Sequence, residues 1–237
     1  MAGSKSTPTT PPNEPEYAGF FKWAVRLLVL LTALATYSTL DQIKDRWYVF
    51  EPGYLHDLAK NAVAAHPDDI NAMIPFIVSN LTTEYPSSVV KINPDSSEWV
   101  FNNAGGAMGA MYIIHASITE YLIIFGTPVG TEGHSGVHTA DDYFNILVGE
   151  QWAFNPPSLE REVYTPGDVH HLPRGHVKQY KMHQGCFAME YARGWIPPML
   201  PFGLADMLSS TLDYYSFGRT AWITGREMLG NLLIGKI

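Results

Sequence analysis

Charge is scarce in this chain. Only 16% of its 237 residues are Asp, Glu, Lys or Arg, well under the quarter usual for soluble domains. Apolar residues make up 46% and aromatic residues 13%, so the chain carries apolar surface that calls for a ligand, a partner or lipid. Positive charge is the scarcer sign, with 15 Lys and Arg against 23 Asp and Glu and a net charge of -8. Without a basic stripe there is nothing to neutralise a phosphate backbone, which excludes nucleic acid as a partner. Cysteine is nearly absent. Cys186 stands alone in the apolar run Cys186-Phe187-Ala188-Met189, so no intramolecular disulfide is possible and the thiol reads as a small buried hydrophobe.

The apolar run Leu27 to Leu40 has no charge over its 14 residues, short of the ~20 that cross a bilayer. It reaches spanning length when Lys22 and Arg26 snorkel to the head groups and Trp23 sits at the interface. A cleaved signal peptide is the alternative, but Ala33-Leu34-Ala35-Thr36-Tyr37 is a poor cleavage site. The reading is an uncleaved transmembrane anchor over residues 18–40. Lys22 and Arg26 on one side balance Lys44 and Arg46 on the other, which leaves the orientation open.

Ahead of the anchor, residues 1–17 are rich in Pro, Thr and Ser and read as a disordered tail. Over 41–84 the apolar spacing is helical (Leu55, Leu58, Ala59, Val63, then Ile70, Met73, Ile74, Ile77), predicting two helices broken at Pro67. Over 85–196 short Val-, Ile-, Tyr- and Phe-rich runs alternate with Gly, Pro, Asn and Asp clusters, the texture of an antiparallel sandwich or barrel. After Pro197-Pro198 the spacing is helical again, and 197–237 reads as amphipathic helices against the barrel or the membrane interface. Asn80-Leu81-Thr82 is a glycosylation sequon that matters only if exposed in a lumen.

A two-part spacing gives the barrel a type. Gly130 is followed by five residues, Gly136-Val137-His138, three residues, Asp142, six residues and Gly149. Later, Gly167 is followed by five residues, Pro173-Arg174-Gly175, two residues and Lys178. This is the glycine and proline scaffold of a cupin, in which three His and one Glu would hold a divalent metal. The ligand positions here read Gly136, His138, Asp142 and Lys178. A lysine cation repels a divalent ion and two ligands hold one poorly, so the expectation is a cupin-like β-barrel with flanking helices and no cofactor or metal. The count also points His138 and Asp142 into the barrel.

The stretch Trp99-Val100-Phe101-Asn102-Asn103-Ala104-Gly105-Gly106-Ala107-Met108-Gly109-Ala110-Met111 resembles the fungal sterol delta-8 to delta-7 isomerases and their animal relative, the sigma non-opioid receptor. So do His115-Ala116-Ser117, Glu120-Tyr121, Phe125-Gly126, Gly133-His134-Ser135-Gly136, Met189-Glu190-Tyr191-Ala192-Arg193-Gly194 and Leu204-Ala205-Asp206. The resemblance implies an endoplasmic reticulum membrane protein, a homotrimer, and a pocket with two carboxylates and a tyrosine that hydrogen-bonds one of them. Matched by motif, these are Glu190 and Tyr121. The second carboxylate departs from the receptor pattern, because an ungapped match puts Phe144 at its place. Alternation along a strand sets Asp142 on the same face as Phe144, so Asp142 is the expected partner of Glu190 and Asp141 the alternative. The segment His138 to Phe144 looks like the isomerase branch.

Moving a ring alkene from delta-8 to delta-7 requires a proton at carbon 9, a cation at carbon 8 and loss of a proton from carbon 7. An acid, a base and negative charge in a dry cavity suffice. Two carboxylates in an apolar barrel supply them, since desolvation and like charge keep one protonated. Glu190, Asp142 and Tyr121 are the expected catalytic set, with His138 polarising Asp142. Phe101, Met111, Phe125, Phe144 and Trp152 are expected to line a sterol-sized slot with His138. The alternative for Glu190 is a structural pair with Arg193. The alternative for the whole protein is a non-catalytic binder of sterols and cationic amphiphilic amines. Such amines mimic the carbocation and are expected to inhibit an isomerase.

Overall fold

The structure is a computed structural model that describes residues 16–237; the tail expected over 1–17 falls almost wholly outside them. The chain divides into Met1–Lys44 and Asp45–Ile237. In the first unit, α1 (Glu16–Ile43) is one continuous helix. Phe20, Trp23, Leu28, Leu31 and Leu34 are all exposed along it. The stretch Gly19–Trp47 is long and apolar enough to cross a membrane. A helix apolar on every side has the composition of one that lies in lipid.

The second unit begins with α2 (Pro52–Ala65) and α3 (Ile70–Glu84), which flank Pro67 as the spacing predicts. Proline opens α2, where its missing N–H costs nothing, and the Asp69 side chain caps α3 by accepting from Ala72 N–H. The sequon residue Asn80 lies inside α3 and donates its side-chain amide to the Phe76 carbonyl.

Ten strands follow: β1 (Trp99–Ala104), β2 (Ala107–Ala116), β3 (Glu120–Thr127), β4 (Thr131–His134), β5 (Ala140–Val148), β6 (Gln151–Phe154), β7 (Glu162–Tyr164), β8 (Val169–Leu172), β9 (Gln179–Met182) and β10 (Cys186–Gly194). They form a six-stranded sheet ordered β1-β2-β3-β10-β5-β8 and a four-stranded sheet ordered β4-β9-β6-β7, all antiparallel. Chain neighbours β4 and β5 lie in different sheets, and β10 inserts between β3 and β5. This is a cupin-like barrel. The motif glycines stand where the chain turns: Gly130 and Gly149 both have φ near +80°, and a side chain on Gly149 would press on the Cys186 backbone at 2.7 Å.

Strand alternation divides the large sheet into two apolar faces. Tyr112, Ile114, Leu122, Ile124, Met189 and Tyr191 face out and pack under α2 and α3. Met111, Ile113, Ile123, Phe144, Ile146 and Ala188 face in, together with Met182 of the opposing sheet. The inner face is closed over by the last elements of the chain, α4 (Leu200–Asp206), a π-helical turn (Met207–Thr211) and α5 (Tyr214–Leu232).

One buried ion pair fastens both ends of this unit to the barrel. Glu120, fully buried, lies 2.8 Å from the Lys236 ammonium, which is 5% exposed. Glu120 also accepts from Val49 N–H, Phe50 N–H and the Tyr191 hydroxyl. Lys236 donates in addition to the Trp47 carbonyl and the Thr119 hydroxyl. Every lone pair and proton of the two charges is thereby used, the condition under which a buried pair holds.

Candidate active site

The register of the large sheet brings the acids together. On its inner face, Tyr121, Ala192, Asp142 and Leu172 form one cross-strand row, and Ile123, Glu190, Phe144 and His170 the next. Tyr121 and Asp142 are therefore the two polar residues among the diagonal neighbours of Glu190, a spacing of about 7–8 Å between Cα atoms that long side chains bridge. The carboxyl groups of Asp142 and Glu190 are near enough for each to shift the other's pKa, and Asp142 Oδ1 is buried with no donor of its own. Two acceptors can share a hydrogen bond only when one carries a proton.

Burial raises both acids. Asp142 is 2% exposed, and desolvation, followed by the charge of Glu190, pushes its pKa well above the carboxylate range. Desolvation raises Glu190 to about 7, offset in part by the hydrogen bond from Asp142. The sign for stability follows. A carboxyl whose folded pKa exceeds its unfolded value is stabilising below pH ~4.5, and that contribution is lost as pH rises through ~7. His115 and His170, both lowered to about 4 by burial, act the opposite way as pH falls, so comparison with a variant isolates the acid. Glu190→Gln is expected to raise Tm relative to the parent at pH 8 and to change it little at pH 5, measured by thermal melts at both.

The choice between the adjacent aspartates is resolved by the pleat. Asp141 points outward, accepting from Arg174 N–H and lying 3.5 Å from His171. Arg193 also leaves on the outer face, donating to the Tyr143 hydroxyl at 3.2 Å, so it is no partner for Glu190.

Against Asp142 lies a cavity of about 790 Å³, within the range of small-molecule sites, and Glu190 is not itself part of its wall. Its barrel wall includes Phe101, Met111, Ile123, Asp142 and Phe144; its lid includes Phe202, Met207, Phe217, Thr224 and Met228. Two of the expected lining residues lie elsewhere. Phe125 faces inward but is buried in the core one row deeper, 3% exposed and absent from the cavity wall. Trp152 is on the small sheet, sandwiched between the Arg161 guanidinium at 3.9 Å and the His183 ring at 4.3 Å. Its neighbours across the sheet are Lys181 and the exposed Val163, which marks this as the outer face.

His138 does line the cavity, but it does not polarise Asp142. Its Nε2 donates to the Ser135 carbonyl and its ring packs edge-on against Phe202 at 5.5 Å. Tyr121 also differs from expectation: its hydroxyl meets the Thr224 hydroxyl at 3.3 Å, although the nearby charge of Glu190 contributes to its raised pKa. The sequence reading missed two residues. Tyr180 reaches the site from the opposing sheet, its ring 6.3 Å from Phe144, close enough that both acids raise its pKa after desolvation. Alternation of Tyr180 and Met182 along β9 was the available signal. Thr224 is the other, and only the lid reveals it.

The cupin metal positions are occupied by protein contacts of other kinds. Asp142 interacts with Glu190, His138 bonds the Ser135 carbonyl, and the Lys178 ammonium pairs with Glu162 at 2.5 Å. Among the described residues no three His, Cys, Asp or Glu side chains converge as a metal would need.

A family model described as ERG2 and Sigma1 receptor like protein matches residues 27–236. The chain belongs to this family. Within it, the C-8 sterol isomerase erg2 of Aspergillus fumigatus is 56% identical over 241 residues, covering 100% of both chains. The C-8 sterol isomerase of Neurospora crassa is 58% identical over 92% of this chain and 84% of its own. The sigma non-opioid intracellular receptor 1 of Xenopus tropicalis is 36% identical over 86% of this chain and 92% of that one. These fungal isomerases are thus nearer to this chain than the receptor is.

Proposed function

We propose that this protein is a membrane-anchored sterol isomerase that shifts the ring double bond from delta-8 to delta-7. The observation that carries the chemistry is the pair of neighbouring acids Asp142 and Glu190, the first of which lines a largely apolar cavity. Near neutral pH the pair keeps one proton, on the fully buried Asp142, and Glu190 accepts its hydrogen bond. Asp142 delivers that proton to carbon 9, and the tertiary cation at carbon 8 then faces two carboxylates in a site with little water to screen them. Glu190 removes a proton from carbon 7, and transfer across the hydrogen bond restores the starting pair. No electron is gained or lost, so no cofactor is required. Tyr121, whose hydroxyl meets Thr224 and feels the charge of Glu190, is placed to turn its phenol proton to that carboxylate, and Phe101, Met111, Phe144 and His138 bound the sterol slot.

A protonated amine set in an apolar ring skeleton reproduces the charge and shape of the carbon 8 cation, so cationic amphiphilic amines are inhibitors in this reading. The long apolar helix α1 supports residence in a membrane, and a lipid substrate fits the endoplasmic reticulum as the compartment. A homotrimer is the assembly proposed, on the family resemblance.

The test is chemical. Membranes containing the protein are incubated with a delta-8 sterol and the products separated; delta-7 product is expected without added nucleotide or metal. Amine binding with no product would instead make the protein a receptor-like binder.

A further inference from the structure

The helix α5 carries polar groups that the mechanism leaves unused. Its C-terminal half is fixed to the barrel by polar contacts: Arg226 forks onto Glu98 at 2.9 and 2.6 Å, and Asn231 donates to the Ala116 carbonyl at 3.1 Å and accepts from Lys91 N–H at 2.9 Å. Its N-terminal half begins beyond a π-helical turn and the left-handed Leu212 (φ 54°), with Tyr214, Tyr215 and Trp222 exposed. Thr224 stands where the fixed half begins. It is 4% exposed, lines the cavity and meets the Tyr121 hydroxyl at 3.3 Å.

We infer that Thr224 is a positioning residue that acts through Tyr121, donating to the phenol oxygen so that the phenol proton is directed at Glu190. The inference rests on the isomerase reading of this site. A hydroxyl pair shares one hydrogen bond, and either oxygen can donate. Tyr121 is a diagonal neighbour of Glu190 on the inner face, and the charge of Glu190 reaches its phenol. When Glu190 is ionised, its charge favours the phenol proton on its own side, which leaves the phenol oxygen as acceptor for Thr224. A threonine on an exposed helix commonly turns its hydroxyl back to its own helix. Here the hydroxyl is spent across the lid, from an element held rigidly enough to set an angle. The carboxyl pair is therefore oriented by the barrel on one side and by the lid on the other, and the orientation is complete only while α5 is seated.

The experiment is a double-mutant cycle of Thr224→Val and Tyr121→Phe, with Thr224→Ser as the variant that keeps the hydroxyl. Thr224→Val is expected to lower kcat about three- to tenfold, the range of one lost hydrogen bond, with KM within twofold. It is also expected to move the acidic limb of the kcat/KM profile to higher pH, because Glu190 loses a donor that favours its charged form. Thr224→Ser restores both. In the Tyr121→Phe background the Val substitution costs nothing further. Equal losses in both backgrounds, or a raised KM with an unmoved pH profile, would show Thr224 to be lid packing and overturn the inference. The parent protein is assayed first, so absence of delta-7 product is recognised as failure of the isomerase reading. The same cycle is then read in amine affinity against pH, which depends on the charge of Glu190 without turnover. A shift that vanishes in the Phe background sustains the role of Thr224, and an unshifted curve removes it.

Discussion

Replacing Glu190 by Gln is expected to abolish isomerisation, lowering kcat about 10³-fold with the protein still folded. General acid–base groups contribute 10²–10⁴-fold, and Glu190 is asked to do two things. It takes the proton from carbon 7, and its charge faces the cation. The amide is nearly isosteric and can still accept a hydrogen bond from Asp142, so the loss reports chemistry rather than packing. Asp142→Asn is expected to fall as far, and the double variant little further, because each acid depends on the other. Amine binding separates the roles. A cationic amine loses an ion-pair partner in Glu190→Gln, and its Kd is expected to rise by at least tenfold, measured by displacement of a labelled amine. A Glu190→Gln protein that still produced delta-7 sterol near the parent rate would remove Glu190 from the mechanism.

The second large effect is on stability and lies outside the cavity. Lys236→Met is expected to destabilise the protein by about 3–5 kcal/mol, the cost of leaving one member of a buried ion pair without its partner. Glu120 is fully buried 2.8 Å from that ammonium. Without the cation its negative charge would have only Val49 N–H, Phe50 N–H and the Tyr191 hydroxyl to hold it. Pairing Lys236→Met with Glu120→Gln is expected to recover part of the loss, since the orphaned charge is then gone. Chemical denaturation in detergent measures both. A surface lysine would give less than 1 kcal/mol, so a shift of that size would place Lys236 outside the barrel.

Much of the site was legible from the chain because it depends on period and spacing. Alternation of two puts Asp142, Phe144 and Ile146 on one face, and β5 follows it. Asp142 and not Asp141 had to turn inward for the same reason. The glycines of the cupin spacing mark corners that need a positive φ, and Gly130, Gly149, Gly167 and Gly175 all have one. Trp152 and Phe125 misled because aromatic character says that a residue is buried or stacked without saying against what. Trp152 finds its partners in Arg161 and His183 on an outer face.

Local pattern along the chain thus decided the apolar helix α1, the two helices at Pro67, the strand-rich middle, and which side of each strand faces in. Tertiary structure alone decided which inward residues meet. The register that inserts β10 between β3 and β5 sets Glu190 diagonal to both Tyr121 and Asp142. The crossing of the lid brings Thr224 to Tyr121 over 103 residues of sequence. The fold of the chain's end carries Lys236 to Glu120. The reason is range: side-chain direction follows from backbone dihedrals a residue or two away, whereas a shared proton, a raised pKa and a buried ion pair arise between groups that only the closed barrel brings within a few ångströms.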